Sequence, residues 1–322
     1  MKKIFTQKMT ILFASVLFSG ATAFATVDIE ANETYTQSFD GIGVETTATL
    51  PTGWKADKST SVRTVGTYAA ALTATEKAGG NSLSSTAGAG IYNFGAGKLD
   101  EATDRSIGGL TNASAIKNIN FYVKLTNNGT TPISSFTISY DIEQYRAGNN
   151  GADGTIGAGF SFQMYYSDND QTYTSAGSDF LTSFAADATT GGYESAPGNT
   201  KSVLSKTLNQ PLAAGESIYL AWNYSVTSGT YTSYSQALGL DNVSITANAA
   251  TGIANITNNA TVVANNGSIV VTATEGAEIE VYTTAGQKIA SAIASGNQDI
   301  IAVSAKGIVI VKVGTETIKV VL

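Results

Sequence analysis

From Ser135 to Arg146 apolar and polar side chains take turns: Phe136, Ile138, Tyr140 and Ile142 have one parity, and Thr137, Ser139, Asp141 and Glu143 have the other. Successive side chains of a strand point to opposite faces, so this segment predicts a half-buried β-strand whose apolar face a second sheet must cover. The rule repeats at Ile119, Phe121, Val123 and Leu125, at Phe160, Phe162, Met164 and Tyr166, and at Ile218, Leu220, Trp222 and Tyr224. Asn127-Asn128-Gly129-Thr130 is a turn signal between the 119–125 run and the 135–146 strand, and the two are expected to be antiparallel neighbours. Leu238 and Leu240 have one parity and Val243 and Ile245 the other, which predicts an extra residue, a β-bulge, around Asp241-Asn242. Upstream, Tyr35 to Phe39 reads as a first strand and residues 67–75 and 91–94 as further strands, with a turn at Gly79-Gly80-Asn81. Trp54 and Trp222 are expected in the core.

Residues 249–251 lie in a run of small residues with no packing signal, so a boundary is expected there. Beyond it, short strands follow closely spaced turn signals at Asn266-Gly267, Glu275-Gly276 and Ala285-Gly286. Gly307 to Val313 is apolar on both faces and reads as a central strand; Thr317 to Leu322 reads as the last. The expected architecture is all-β: a large jelly-roll-like β-sandwich over 26–248 and a small C-terminal Ig-like β-sandwich over 252–322.

The first 25 residues change the picture of where the chain works. Lys2, Lys3 and Lys8 precede the apolar run Ile11 to Phe18, and Ala23-Phe24-Ala25 has the small-x-small form of a cleavage site. This predicts a secretory signal peptide over 1–25; the run is well short of the ~20 residues a membrane span needs. The chain has 18 Lys+Arg and 25 Asp+Glu, a net charge of −7. Cleavage would remove three lysines and no acid, giving 15 − 25 = −10. That balance disfavours nucleic acid as a partner, since phosphate backbones need clustered Lys and Arg. There is no Cys and no His. Disulfides, thiolate metal sites, Ser-His triads and His-ligated zinc are therefore impossible within this chain. Chemistry by carboxylates, Lys, Tyr or a bound hard cation stays open.

Several segments carry resemblances. Arg105-Ser-Ile-Gly-Gly-Leu110, the Leu125 to Gly129 turn, Ile138-Ser-Tyr-Asp-Ile-Glu-Gln-Tyr-Arg146, Leu212 to Glu216 with Tyr219-Leu-Ala-Trp222, and Ala237 to Ile245 together resemble an extracellular bacterial β-sandwich module. In that module a Glu-Gln-Trp-Arg strand end recurs; Tyr145 stands here where Trp is usual. The resemblance implies fold and location and no general activity. Val281-Tyr-Thr-Thr-Ala-Gly-Gln-Lys288, Lys306-Gly-Ile-Val-Ile-Val-Lys312 and Lys319-Val-Val-Leu322 resemble the C-terminal sorting domain of the type IX secretion system. Val309 replaces its usual Tyr, and its Pro-Asn-Pro entry is missing. This resemblance implies export, an extracellular or outer-surface location, and secretion machinery as a partner.

Three groups of residues are candidates for chemistry or binding. Asp141-Ile142-Glu143 resembles part of the Glu-x-Asp-x-Glu strand of jelly-roll glycosidases, but the first Glu would fall at Ser139, so the implied nucleophile is absent. The plain reading is a solvated strand face, with Glu143 paired to Arg105 or a nearby Lys, or to Arg146 as a buried ion pair. Gly148 to Gly154, with Asp153, and Asp168-Asn-Asp170 offer oxygen ligands of the kind Ca²⁺ takes, without the Gly and distal Glu of an EF-hand loop. Turn chemistry alone places the same residues there. Thr227 to Gln236 sets Tyr231 and Tyr234 among Ser, Thr and Gly with no apolar period. The two rings are either a recognition surface for a glycan or other extracellular macromolecule, or lids folded over the open end of the core. The expected function is a non-catalytic secreted or surface protein with no obligatory cofactor; the alternatives are a carboxylate-dependent glycoside hydrolase and a structural component of an extracellular assembly.

Overall fold

The computed structural model describes residues 26–151, 155–249, 260–265 and 267–322. The expected signal peptide, Asp153, and Ala250 and Thr251 of the connector lie outside the described residues. The chain divides into two compact units, one ending at Ala250 and the other beginning at Thr251. In both, the regular structure is almost entirely strand.

In chain order the strands of the large unit are β1 (Val27–Ile29), β2 (Thr34–Gln37), β3 (Trp54–Ser59), β4 (Lys77–Gly79), β5 (Gly90–Gly95), β6 (Arg105–Leu110), β7 (Asn118–Asn127), β8 (Ile133–Ala147), β9 (Phe160–Ser167), β10 (Thr174–Ser175), β11 (Leu181–Phe184), β12 (Gly191–Gly192), β13 (Asn199–Leu208), β14 (Ser217–Val226) and β15 (Ala237–Ala249). One sheet runs β1-β7-β14-β9-β10, with β3 on β7 and β11 on β9. The other runs β12-β8-β15-β6-β5-β4, with β13 on β8 and β2 on β15. The alternating apolar residues of β7, β9 and β14 face those of β8 and β15 in one core, where Trp54 stacks on Trp222 at 5.4 Å. Such a pair contributes about 0.5–1.5 kcal/mol beyond the area it buries.

Two expectations need correction. β7 and β8 do not pair: the 127–130 turn carries the chain from one sheet to the other, since β7 pairs with β14, β1 and β3 while β8 pairs with β15, β13 and β12. Both strands bury the same parity either way, so alternation alone cannot tell a hairpin from an arch between sheets. Residues 67–75 form no strand; their backbone makes only bridges, Thr49 to Ala74 and Ala56 to Leu72. Tyr68 and Ala71 of this segment instead cap the outer face of the first sheet over Tyr122 and Ala221. The bulge at Asp241-Asn242 is present: the β15–β8 register shifts between Asp241 and Ser244, and Asn242 has φ 50°.

The small unit comprises β16 (Thr261–Asn265), β17 (Ser268–Thr272), β18 (Glu278–Thr283), β19 (Lys288–Ile293), β20 (Gln298–Ala302), β21 (Ile308–Val313) and β22 (Glu316–Val321). Two sheets, β16-β17-β20 and β19-β18-β21-β22, enclose a core of Ile269, Val271, Ile279, Val281, Val309 and Val311. β21 is interior to its sheet, as expected of a central strand, with Val309, Val311 and Val313 buried in the core and Ile308 exposed on the opposite face.

Candidate functional site

The segment joining β14 to β15 is irregular, yet it is held at nearly every second residue. Arg63 donates from Nη1 to the Val226 carbonyl (2.9 Å) and from Nη2 to the Gly229 carbonyl (3.0 Å). Thr232 is buried; its hydroxyl donates to the Asn112 carbonyl (2.7 Å) and its carbonyl accepts from the Thr111 hydroxyl (2.8 Å). Ser235 is buried, with Oγ accepting from the Thr111 amide, and Gln236 is buried, with its side-chain oxygen accepting from the Phe160 amide. The hydroxyl of core Tyr224 closes the set by donating to the Gln236 carbonyl. Tyr231 and Tyr234 alone of the large side chains here point outward, 39% and 56% exposed. They are not lids over the core. Tyr234 also sits at φ 50°, a conformation that costs a bulky residue on the order of 1–3 kcal/mol and persists only where the surroundings impose it. Here the Asn150 amide and the close passage of Gly148 impose it: a Cβ on Gly148 would collide with the Tyr234 carbonyl.

Beside Tyr234 lies an open groove of about 310 Å³, walled by the 85–89 segment, Thr111, Asn112, Arg146 and Ser233. Arg146 ends β8 and is only 3% exposed. Its Nη1 donates to the Ser84 and Ser85 carbonyls (3.2 and 3.3 Å) and its Nη2 to the Ser235 carbonyl (2.6 Å), so it ties the groove wall to the tyrosine loop. Its Nε has no partner. Sequence reasoning missed this residue, having read it only as a partner for Glu143.

A larger groove, about 370 Å³, opens at the other end of β9 and β14, among Tyr166, Asp168, Thr172, Pro211 and Ile218. Of the candidate cation ligands, Asp168 is exposed at this groove. Asp170 is buried and fully employed: one carboxylate oxygen accepts from the Tyr68 amide (2.6 Å) and the Tyr173 hydroxyl (2.8 Å), the other from the Ala69 amide (2.8 Å). That is what holds the 66–71 segment onto its sheet. Asp153 lies outside the described residues. Among the described residues no group of three or more acidic side chains has a geometry that could hold a metal ion.

Of the two β8 carboxylates, Asp141 is partly exposed and Glu143 is buried. Loops at 83–87 and 193–198 cover the outer side of this sheet over Tyr92, Phe94 and Tyr145, and Glu143 is buried with them. Glu143 accepts a hydrogen bond from the Tyr145 hydroxyl (2.6 Å), and pairs with neither Arg105 nor Arg146, whose guanidinium groups bond to Asn93 and to backbone carbonyls. Burial pushes the Glu143 carboxyl up to about 7. Asp241, the last regular pair before the bulge, lies opposite Asp141 on the same side; buried with one unpartnered oxygen, it is pushed up to about 8 by burial and then by Glu143. Asp141 accepts from Ser202 and Asn242. Glu143 and Asp241 are thus internal groups, and Asp141 lies at the partly open edge beside them.

Taken together, the chain is an all-β protein of two sandwiches, the larger presenting two tyrosines on a braced loop at the lip of a polar groove. Residues 243–322 match a domain of unknown function, DUF6383. No curated protein matches the chain. Among solved structures it is similar to TmCBM61 in complex with β-1,4-galactotriose, at 5% identity and a TM-score of 0.23 over 68% of this chain and 90% of that one. It is also similar to the N-terminal CBM22-1–CBM22-2 tandem domain of Xyn10C from Paenibacillus barcinonensis, at 12% identity and a TM-score of 0.29 over 90% of this chain and 89% of that one. A third similarity is to Faecalibacterium prausnitzii β-glucuronidase, at 11% identity and a TM-score of 0.23 over 90% of this chain and 46% of that one. Similarities of this size carry nothing about ligand or activity.

Proposed function

We propose that the large unit is a non-catalytic glycan-binding module of an exported protein, with a saccharide laid against Tyr231 and Tyr234 and entering the adjoining groove. One observation carries this reading: two exposed tyrosines alternate with buried, hydrogen-bonded neighbours on a loop whose shape is fixed before any ligand arrives. A tyrosine ring offers an apolar face to a sugar ring and a hydroxyl to its edge, and a loop already ordered loses little entropy on binding. The groove wall adds Thr111, Asn112 and Ser233, side chains that can donate to and accept from sugar hydroxyls.

The signal-like first 25 residues support export, and the resemblance of 281–322 to a sorting domain supports delivery to the outer surface through the small unit. A hydrolytic role for Asp141 and Glu143 finds no support in the geometry, because Glu143 is buried and bonded to the Tyr145 hydroxyl, and Ser139 stands where the nucleophile would fall. A cation at the 168–170 turn would find Asp170 already committed to three donors. The test is a glycan array probed with residues 26–322. Binding to a defined set of glycans is expected; a blank array at the highest usable protein concentration sinks the reading.

A further inference from the structure

The groove is charged against the rest of the protein. The chain carries a net −7, yet the lining of this groove contains a guanidinium, Arg146, and no carboxylate. Among the described residues no acid lies within ion-pair distance of Arg146, and its recorded acceptors are three neutral backbone carbonyls. Lys77 stands behind the same wall: a Cβ on Gly88, one of the lining residues, would lie 3.2 Å from its Nζ. Glu76 next to it is ion-paired to Lys58 and also feels the Lys77 charge, so Lys77 is partly offset and Arg146 supplies the larger share of the positive potential. Tyr92, whose hydroxyl donates to the Gly88 carbonyl, completes the backing of the wall.

A guanidinium stays charged in a protein, and burying one without a counter-charge costs several kcal/mol, which carbonyl hydrogen bonds only partly offset. Burial lowers the Arg146 pKa from its ordinary value, in keeping with that cost. The three backbone bonds explain how Arg146 braces the loop, but neutral donors would brace it at less expense. The absence of a facing acid, with only carbonyl dipoles around the charge, is what a site has when its counter-charge arrives with the ligand.

We propose that the saccharide taken by this groove is anionic, and that its carboxylate or sulfate group is placed by the positive wall formed by Arg146 with Lys77, while its rings lie on the tyrosine loop. This rests on the glycan-binding reading and narrows it. Arg146 acts from within the wall: it sets the potential of the groove more than it grips the ligand. Such a term is strengthened by the low-dielectric surroundings of the buried charge and weakened by salt at the exposed mouth.

The experiment leaves the protein unaltered in its first arm. Residues 26–322 are applied to an array carrying uronate-, sialate- and sulfate-bearing glycans beside neutral ones, and affinity is then measured for polygalacturonate, a sulfated galactan and carboxyl-reduced polygalacturonate. At least one acidic class should bind about tenfold or more tightly than its neutral counterpart, and the preference should shrink as salt is raised from 50 to about 500 mM. The second arm is Lys77→Gln, a half-exposed residue outside the internal hydrogen-bond network, which should weaken acidic binding about two- to fivefold and reduce its salt dependence with melting unchanged. Equal or tighter binding of neutral glycans overturns the anionic assignment and leaves glycan binding standing. Acidic binding indifferent to salt and to Lys77→Gln overturns the assignment to this groove. No binding to any glycan overturns both this inference and the reading beneath it.

Discussion

Replacing Asp241 with Asn should flatten the pH dependence of the large unit's stability. Asp241 and Glu143 are both buried on the covered face of the β8–β15 sheet and hold their protons more tightly folded than unfolded. For a carboxyl raised by folding, the stabilising contribution is fully present below the unfolded value and is lost as pH rises through the folded one. For Asp241 that window runs from 3.8 to about 8, and for Glu143 from 4.5 to about 7. At about 1.36 kcal/mol per pH unit, the Asp241 gap sets a ceiling of roughly 6 kcal/mol; relaxation and water entry at the bulge should reduce the measured part to about 2–4 kcal/mol. Both tryptophans of the chain lie in this unit's core, so urea unfolding followed by tryptophan fluorescence at pH 5, 7 and 9 reads the right transition. The parent protein should lose stability from pH 5 to pH 9, and Asp241→Asn should lose clearly less. Glu143→Gln, which keeps an acceptor for the Tyr145 hydroxyl, should act in the same direction. Parallel pH profiles for parent and both variants, or a parent that gains stability toward pH 9, would show that these carboxyls are solvated and the argument from burial is wrong.

Other consequences follow from single contacts. Asp170→Ala strands the Tyr68 and Ala69 amides and the Tyr173 hydroxyl, and should cost about 2–3 kcal/mol by thermal or urea unfolding; a Ca²⁺-induced rise in the parent's melting temperature would instead mark the 168–170 turn as a cation site. Gly108→Ala drives a Cβ into the Leu238 carbonyl and the Phe94 ring across the β6–β15 pairing, and should destabilise by about 2–3 kcal/mol; a neutral result would mean the strands have room to part. Removing residues 252–322 should leave the large unit's melting transition in place and change the cell fraction in which the protein is found. Unchanged surface exposure after that truncation speaks against a sorting role for the small unit.

The strands that were legible in the sequence are those with one face in the core. β8, β9 and β14 declare themselves through Phe136 to Ile142, Phe160 to Met164 and Ile218 to Tyr224, and the parity switch at Asp241 gave away the bulge. What alternation could not supply was which sheet a strand joins, because β7 and β8 bury the same parity whether they pair or face each other. The second layer was equally hidden. Glu143 and Tyr145 look solvent-facing by parity, yet both are buried, Tyr145 in a cluster with Leu83, Ala87 and Ala196 from loops that have no period of their own. Tyr231 and Tyr234 were visible as unburied aromatics in a polar stretch. Their rigidity was not, since it comes from Thr111, Asn112, Arg63 and Phe160, residues 76 to 163 positions along the chain from the groups they bond. Arg146 was missed as a groove residue for the same reason: its partners at Ser84, Ser85 and Ser235 are assembled only by the fold.

The central claim is that the tyrosine loop is a preformed saccharide platform, and the most direct test is calorimetric titration of the best array-identified glycan into the parent and into Tyr231→Ala, Tyr234→Ala. The double variant should lose about 1–3 kcal/mol of affinity, about 5- to 150-fold, as truncation of exposed aromatic anchors does. Its melting temperature should stay within about 2 °C of the parent, because neither ring is part of the core and Thr232, Ser235 and Gln236 still hold the loop. Undiminished affinity in a variant that melts several degrees lower would contradict the account, since the tyrosines would then serve the fold and the glycan would bind elsewhere.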